Sequence, residues 1–274
     1  MAEPVVVEKI TVPKVRARKR VRGNEPIVML TAYDTAGARI CDAAGVDVIL
    51  VGDTVADNVL GYANTLQVDV ATMAHHVAAV GRAAPRALVV GDMPWLSYHL
   101  SPQETVRNAA TLVRAGAEAV KLEGGRQRLA MIEALLGAEI PVMGHLGLTP
   151  QSVHVMGGYK VQAKEQAAAE SLLQDAKALV AVGCFAIVLE GVPDVVAARV
   201  TAEVEVPTIG IGAGPNCDGQ VLVFHDLLGL NEDKPPKFVR RYAQLSQVAT
   251  DAVRAWAADV RAGTFPSDAE TYHV

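Results

Sequence analysis

Ala87-Leu-Val-Val-Gly91, then Ser101-Pro102 opening a segment that ends at Ala115-Gly116, then Ala119-Val-Lys-Leu-Glu123: this stretch decides the fold. The two flanking runs are short and apolar without strict alternation, as expected for strands buried on both faces of a parallel sheet. Pro102–Ala115 carries helix formers of mixed polarity. Ser101 is placed as its N-cap with Pro102 in the first turn, and Gly116 as its C-cap. Strand, helix, strand in this order is one parallel unit. The same reading extends outward to strands at Ile27–Ala32, Val46–Gly52, Ile140–Gly144, Phe185–Glu190, Val206–Ile211 and Gln220–His225. Lys164–Val182 is a further helix closed by Gly183, and Gly45 closes another. Eight such units in 274 residues predict an α/β fold, a single (β/α)8 barrel of TIM type. An open doubly wound sheet is the alternative, but its GxGxxG signature is missing after the first strand. The whole chain, 1–274, is expected to be one domain. Residues 1–25 form a lead-in segment and 235–274 a C-terminal helix and tail. Within that tail Lys237–Ala262 reads as amphipathic, with Phe238, Tyr242, Leu245 and Val253 near helical spacing.

Composition narrows the function classes. Hydrophobic residues make up 51% and charged residues 20%, which excludes intrinsic disorder. Lys+Arg 25 minus Asp+Glu 30 gives a net charge of −5, so general nucleic-acid binding is not expected. The basic run Lys14–Arg22 is read as a solvated lead-in rather than a nucleic-acid arm. The longest uncharged apolar run, Ala178–Leu189, has 12 residues, short of the roughly 18 a membrane span needs. No stretch of signal-peptide type opens the chain. Cys41, Cys184 and Cys217 form neither a disulfide framework nor a CxxC metal site. A cytoplasmic protein without membrane or nucleic-acid partners is the expectation.

The strand ends carry the chemistry. Barrel active sites lie at the C-terminal ends of the strands, each strand lending a side chain. Here those ends hold Tyr33 and Asp34, Asp53, Asp92, Lys121 and Glu123, His145, Glu190, and the glycine run Gly210–Gly214. Asp53 and Asp92 each follow Val-Gly on neighbouring strands. Two carboxylates facing one cavity repel unless a cation or proton lies between them, and hard oxygen ligands favour Mg²⁺. Helix N-caps are the plainer alternative for both. Period-two spacing points Lys121 and Glu123 to one side of their strand, either as an ion pair or with a ligand. His145 is placed either to donate as a neutral imidazole to a substrate oxygen or as a structural residue. Glu190 follows Ile187-Val-Leu and suits a general base whose pKa an apolar pocket would raise. Gly210–Gly214 is a weak phosphate-loop signal. His75 and His76 read as surface or supporting residues, and His99, His154 and His225 form no metal triad.

At these same residues the chain resembles the ketopantoate hydroxymethyltransferases of pantothenate biosynthesis. The matching stretches run from about Ile10 through the C-terminal helix. They are Thr31-Ala-Tyr-Asp34, Leu50-Val-Gly-Asp53, Gly91-Asp-Met-Pro94, Val120-Lys-Leu-Glu-Gly-Gly125, Gly144-His-Leu-Gly-Leu-Thr-Pro-Gln-Ser152, Gly157-Gly-Tyr-Lys160, Val188-Leu-Glu190 and Gly210-Ile-Gly-Ala-Gly214. The resemblance implies one Mg²⁺ per subunit held by Asp53 and Asp92 with Glu123 assisting. It implies substrate contacts from Asp53, Thr54, Asp92, Lys121 and His145, and a catalytic base at Glu190. It also implies 3-methyl-2-oxobutanoate and 5,10-methylenetetrahydrofolate as substrates, and a homo-oligomer, commonly a decamer. Thr54 stands where the family has serine, and Val55-Ala-Asp-Asn58 replaces a stretch usually containing Gly and Met. Lyases and phosphomutases of the isocitrate lyase type offer a rival reading. Their Lys-Lys-Cys-Gly-His loop is absent from this chain. A catalytically silent barrel serving as an assembly module is the third reading; it would carry a broken site, and the ionisable strand ends here are intact.

Overall fold

In the computed structural model, residues 8–19, 24–231 and 234–273 are described. Eight strands close into a parallel barrel in chain order: β1 (Ile27–Thr31), β2 (Val48–Val51), β3 (Leu88–Asp92), β4 (Ala119–Glu123), β5 (Val142–Gly147), β6 (Ala186–Glu190), β7 (Thr208–Ile211) and β8 (Gly219–Leu222). A short helix α1 (Val12–Arg16) precedes β1. Helices α2 (Thr35–Ala43), α3 (Val55–Asn58) and α4 (Val70–Gly81) occupy the first two crossovers, and α5 (Pro102–Ala115) and α6 (Leu129–Gly137) the next two. Then come α7 (Val153–Met156), α8 (Gln166–Val182), α9 (Asp194–Glu203), α10 (Phe224–Leu228) and α11 (Leu245–Ala262). The (β/α)8 expectation holds. The chain divides into two compact units, Met1–Phe224 and His225–Val274.

The quoted stretch folds as its residues dictate. Ser101 Oγ accepts from Glu104 N at 3.2 Å, Pro102 sits in the first turn, and Gly116 closes α5 at φ 123°. An N-cap of this kind contributes about 1 kcal/mol. Every residue of β2, β3 and β4 is buried, which is why no polar face alternates along them. Period two still governs which side chains point inward. Met29, Val48, Leu50, Leu88, Val90, Ala119, Met143, Val188, Ile209 and Val221 fill the barrel, and Ile10 and Val15 of the lead-in segment join the same core.

Two of the lead-in charges, Arg18 and Lys19, are tied to residues next to β2 and β8. Lys19, 3% exposed, places Nζ 2.7 Å from Asp218 Oδ2 and 2.6 Å from the Thr201 carbonyl. Arg18 pairs with Asp47, and Lys14 with Glu8 at 2.6 Å. Arg20–Arg22 of that run lie outside the described residues.

Three boundaries differ from expectation. β5 runs through His145 to Gly147, because its two neighbours pair with it there: Glu123 opposes His145 and Glu190 opposes Gly147. His145 therefore lies within a strand, not after it. β8 ends at Leu222, where Phe224 N donates to Thr31 Oγ1 at 3.0 Å and α10 begins, so His225 is helical. In the second unit the helix starts at Leu245, not Lys237. Tyr242 N donates to the Leu227 carbonyl at 2.8 Å and Ser246 N to that of Gly229 at 3.0 Å, which commits donors that a longer helix would need.

Candidate active site

The inward-facing series that fills the barrel ends, at its C-terminal mouth, in charge. β3 places Asp92 after Val90, β4 places Lys121 and Glu123 after Ala119, β5 places His145 after Met143, and β6 places Glu190 after Val188. Asp53 follows β2 after one residue, Gly52. Strand register sets the neighbours: Asp92 opposes Lys121, and Glu123 opposes His145. Lys121 Nζ stands 2.8 Å from Asp92 Oδ1 and 4.0 Å from Glu123 Oε1. Asp53 N donates to Asp92 Oδ2 at 3.2 Å. His145 Nδ1 lies 3.4 Å from Glu123 Oε1, and its Nε2 lies 3.2 Å from Glu190 Oε2. Asp53, Thr54, Asp92, Lys121, Glu123, His145 and Glu190 all line one cavity. The cavity measures about 50 Å³, room for on the order of four waters.

Burial raises the energetic stakes. Asp53, Asp92, Lys121, Glu123 and His145 are all under 5% exposed. Burial, then the Asp92 and Glu123 charges, pushes the Asp53 carboxyl well above the usual carboxylate range. Burial raises Asp92 too, against the opposing pull of Lys121. Burial opposes ionisation of Glu123 as well, but His145 and Lys121 outweigh it and hold that carboxyl low. Lys121 is desolvated yet raised, because Asp92, Glu123 and Asp53 surround it. At His145, burial and the Lys121 ammonium favour the neutral ring, yet Glu123 and Glu190 win and lift its pKa to about 9. Lys121 Nζ also lies 3.3 Å from His145 Nδ1. An ammonium can only donate, so the two form no hydrogen bond if the ring is protonated. Glu123 and Glu190, on the two sides of the ring, thus favour the imidazolium over the neutral ring read from the sequence, and Nε2 faces Glu190 Oε2 at 3.2 Å.

The N-cap alternatives for Asp53 and Asp92 fail. Thr54, not Asp53, precedes α3, and the real acidic caps are Asp34, accepting from Gly37 N, and Asp69, accepting from Thr72 N. Glu190 lines the cavity with His145 Nε2 3.2 Å from its Oε2. Its strand neighbour Gly147, at φ +95°, admits no side chain: a Cβ there would come within 2.2 Å of the Glu190 carbonyl. Thr54 Oγ1 meets Tyr33 Oη at 2.8 Å. Thr54→Ser should therefore leave KM near wild type, while Thr54→Ala raises it; equal KM for all three proteins reduces Thr54 to packing.

Gln151 and Tyr98 were not singled out from the sequence, yet both are built into the site. Gln151, 5% exposed, donates from Nε2 to Asp53 Oδ2 at 2.8 Å and from its backbone N to Glu123 Oε2 at 3.1 Å. Its signal was present in the Leu148-Thr-Pro-Gln-Ser152 run. Of the glycine run only Ile211 lines the cavity. His76 supports from outside, with Nδ1 2.7 Å from the Tyr33 carbonyl. Among the described residues, no group of three or more His, Cys, Asp or Glu is arranged to hold a metal unaided. None of their helices is long and apolar enough to cross a membrane.

The chain is similar to known proteins along nearly its whole length. Residues 9–268 match the model of the ketopantoate hydroxymethyltransferase family. A 3-methyl-2-oxobutanoate hydroxymethyltransferase of Koribacter versatilis (strain Ellin345) is 58% identical, over 92% of this chain and 85% of that one. A second, from Bradyrhizobium diazoefficiens, is 53% identical over 98% and 91%. The barrel is similar to 2,3-dimethylmalate lyase at TM-score 0.58 and 18% identity, covering 93% of this chain and 90% of that one. It is also similar to a phosphoenolpyruvate phosphomutase of Streptomyces platensis subsp. rosaceus at TM-score 0.60 and 14% identity, over 92% and 88%. Those two likenesses show the fold alone.

Proposed function

This chain belongs to the ketopantoate hydroxymethyltransferase family, and from that premise we propose that it moves a hydroxymethyl group from 5,10-methylenetetrahydrofolate onto 3-methyl-2-oxobutanoate. The product is 2-dehydropantoate, a precursor on the way to pantothenate. The observation that supports a metal-assisted site is its charge. Four carboxylates (Asp53, Asp92, Glu123, Glu190) against two cations (Lys121, His145) leave 4 − 2 = 2 negative charges in a mostly buried space. Such a deficit calls for protons or a dication. The donor set consists of hard oxygens, and Mg²⁺ characteristically takes one or two protein carboxylates while keeping waters. That fits Asp53 and Asp92, which line the same cavity, the backbone N of Asp53 donating to Asp92 Oδ2. Glu123 assists from behind, its oxygens already facing His145 and Gln151. When bound, Mg²⁺ would polarise the 2-oxo acid and ease loss of its C3 proton.

The chain's own residues divide the remaining work. Lys121 and the Nε2 proton of His145 are placed to bind the carboxylate and keto oxygens. Glu190 is the base. It is the least buried of the four carboxylates, its side chain 16% exposed, and its Oε1 has no partner among the described residues. It takes the proton from C3, leaving an enolate. Water releases the folate methylene as formaldehyde, freeing tetrahydrofolate, and C3 attacks that carbonyl carbon, whose oxygen takes up a proton to become the hydroxymethyl group.

Calorimetry tests the reading. Mg²⁺ should bind wild type, and more tightly with 3-methyl-2-oxobutanoate present. Asp53→Asn and Asp92→Asn should each weaken that binding, because each removes a full charge facing the dication, and excess Mg²⁺ should partly restore turnover. Unchanged Mg²⁺ affinity in both variants would refute the metal site.

A further inference from the structure

A run of hydrogen bonds with obligate directions passes behind Asp53. The Met93 carbonyl can only accept, and it lies 3.0 Å from one end of the Gln151 amide. That end must therefore be the NH₂ group. On the other side, the Glu123 backbone N–H can only donate, and it donates to Tyr98 Oη at 3.2 Å. Having accepted there, the Tyr98 hydroxyl turns its own proton to Gln151 Oε1, 2.5 Å away. The two ends agree on one orientation of the amide. Its second N–H is then aimed at Asp53 Oδ2, 2.8 Å away. Tyr98, Gln151 and Asp53 are 1%, 5% and 3% exposed, so no bulk water competes for these bonds.

The consequence falls on Asp53. Oδ2 already commits one of its two in-plane lone pairs to that N–H. Oδ1 has no hydrogen-bond partner among the described residues, and Asp53 lines the cavity. We infer that Gln151 is a positioning residue that locks Oδ2 of Asp53 and leaves Oδ1 as its ligating oxygen, and that Tyr98 acts by holding the Gln151 amide. Groups behind a metal ligand commonly set its orientation and basicity in this way. The inference rests on the proposed role of Asp53 as a metal ligand.

Mn²⁺ serves as the probe, its free signal followed by electron paramagnetic resonance as metal-free full-length protein is added, with no turnover required. Gln151→Met keeps the length of the side chain and removes its hydrogen bonds. Its Mn²⁺ Kd should rise by about 10–100-fold, the usual range for loss of a group behind a ligand. Tyr98→Phe keeps the ring and removes only the hydroxyl. Its Kd should rise by less, because Met93 still selects the amide orientation. A lowered melting temperature with an unchanged Kd in Gln151→Met would overturn the inference and make Gln151 merely structural. If Gln151→Met does not fold, Tyr98→Phe decides: an unchanged Kd there overturns it equally. Wild-type protein that binds no Mn²⁺ would overturn both this inference and the metal reading beneath it.

Discussion

Glu190→Gln should abolish proton removal while sparing binding. Glutamine has nearly the same shape and can still meet His145 Nε2, which lies 3.2 Å from Oε2 in the wild type. It cannot accept a proton at neutral pH, so deprotonation of the substrate should slow by about 10²–10⁴, the usual contribution of a positioned base. Exchange of the C3 hydrogen of 3-methyl-2-oxobutanoate into D₂O, followed by NMR without folate, isolates that step. Wild type with Mg²⁺ should exchange it; Glu190→Gln should not, and its substrate Kd should move little. Rapid exchange by the variant would shift the base elsewhere.

Lys121→Met should cost the metal-free protein about 3–5 kcal/mol, the usual consequence of stripping one partner from a buried ion pair. Lys121 is 4% exposed and stands beside Asp92 and Glu123, so its loss leaves those carboxylates facing Asp53 with only His145 to offset them. Urea unfolding measures the loss. Its pH dependence has a definite sign. Asp53 and Asp92 have pKa values raised by burial, so the folded state binds their protons more readily than the unfolded state does. The stability they contribute is present at low pH and is lost as pH rises through their folded pKa values. The deficit of Lys121→Met should therefore shrink as pH falls from about 8 to about 5, because protonation relieves the repulsion. Mg²⁺ should also recover part of it, by neutralising the same carboxylates. A deficit that does not vary with pH or Mg²⁺ would mean that Lys121 stabilises by packing alone.

Much of this protein is legible along the chain, for a physical reason. Strand–helix alternation, caps such as Ser101-Pro102 and Gly116, and unbroken apolar runs are local features, and parallel strands buried on both faces can close in few ways. The fold and the site carboxylates follow from them, since period two carries the inward series of β3, β4, β5 and β6 from apolar filling into Asp92, Lys121, Glu123, His145 and Glu190. What the chain order cannot state is which groups share a proton. The pull of His145 toward the imidazolium comes from Glu123, 22 positions away, and Glu190, 45 positions away, which flank its ring in space. Gln151 comes to face Asp53 across 98 positions, and its amide direction depends on a carbonyl of one loop and an N–H of another strand. The limits of His225 and of the segment before Leu245 were likewise set by distant backbone donors. Composition and periodicity act over a few residues; protonation and hydrogen-bond direction depend on the groups that closure of the barrel brings within about 3 Å.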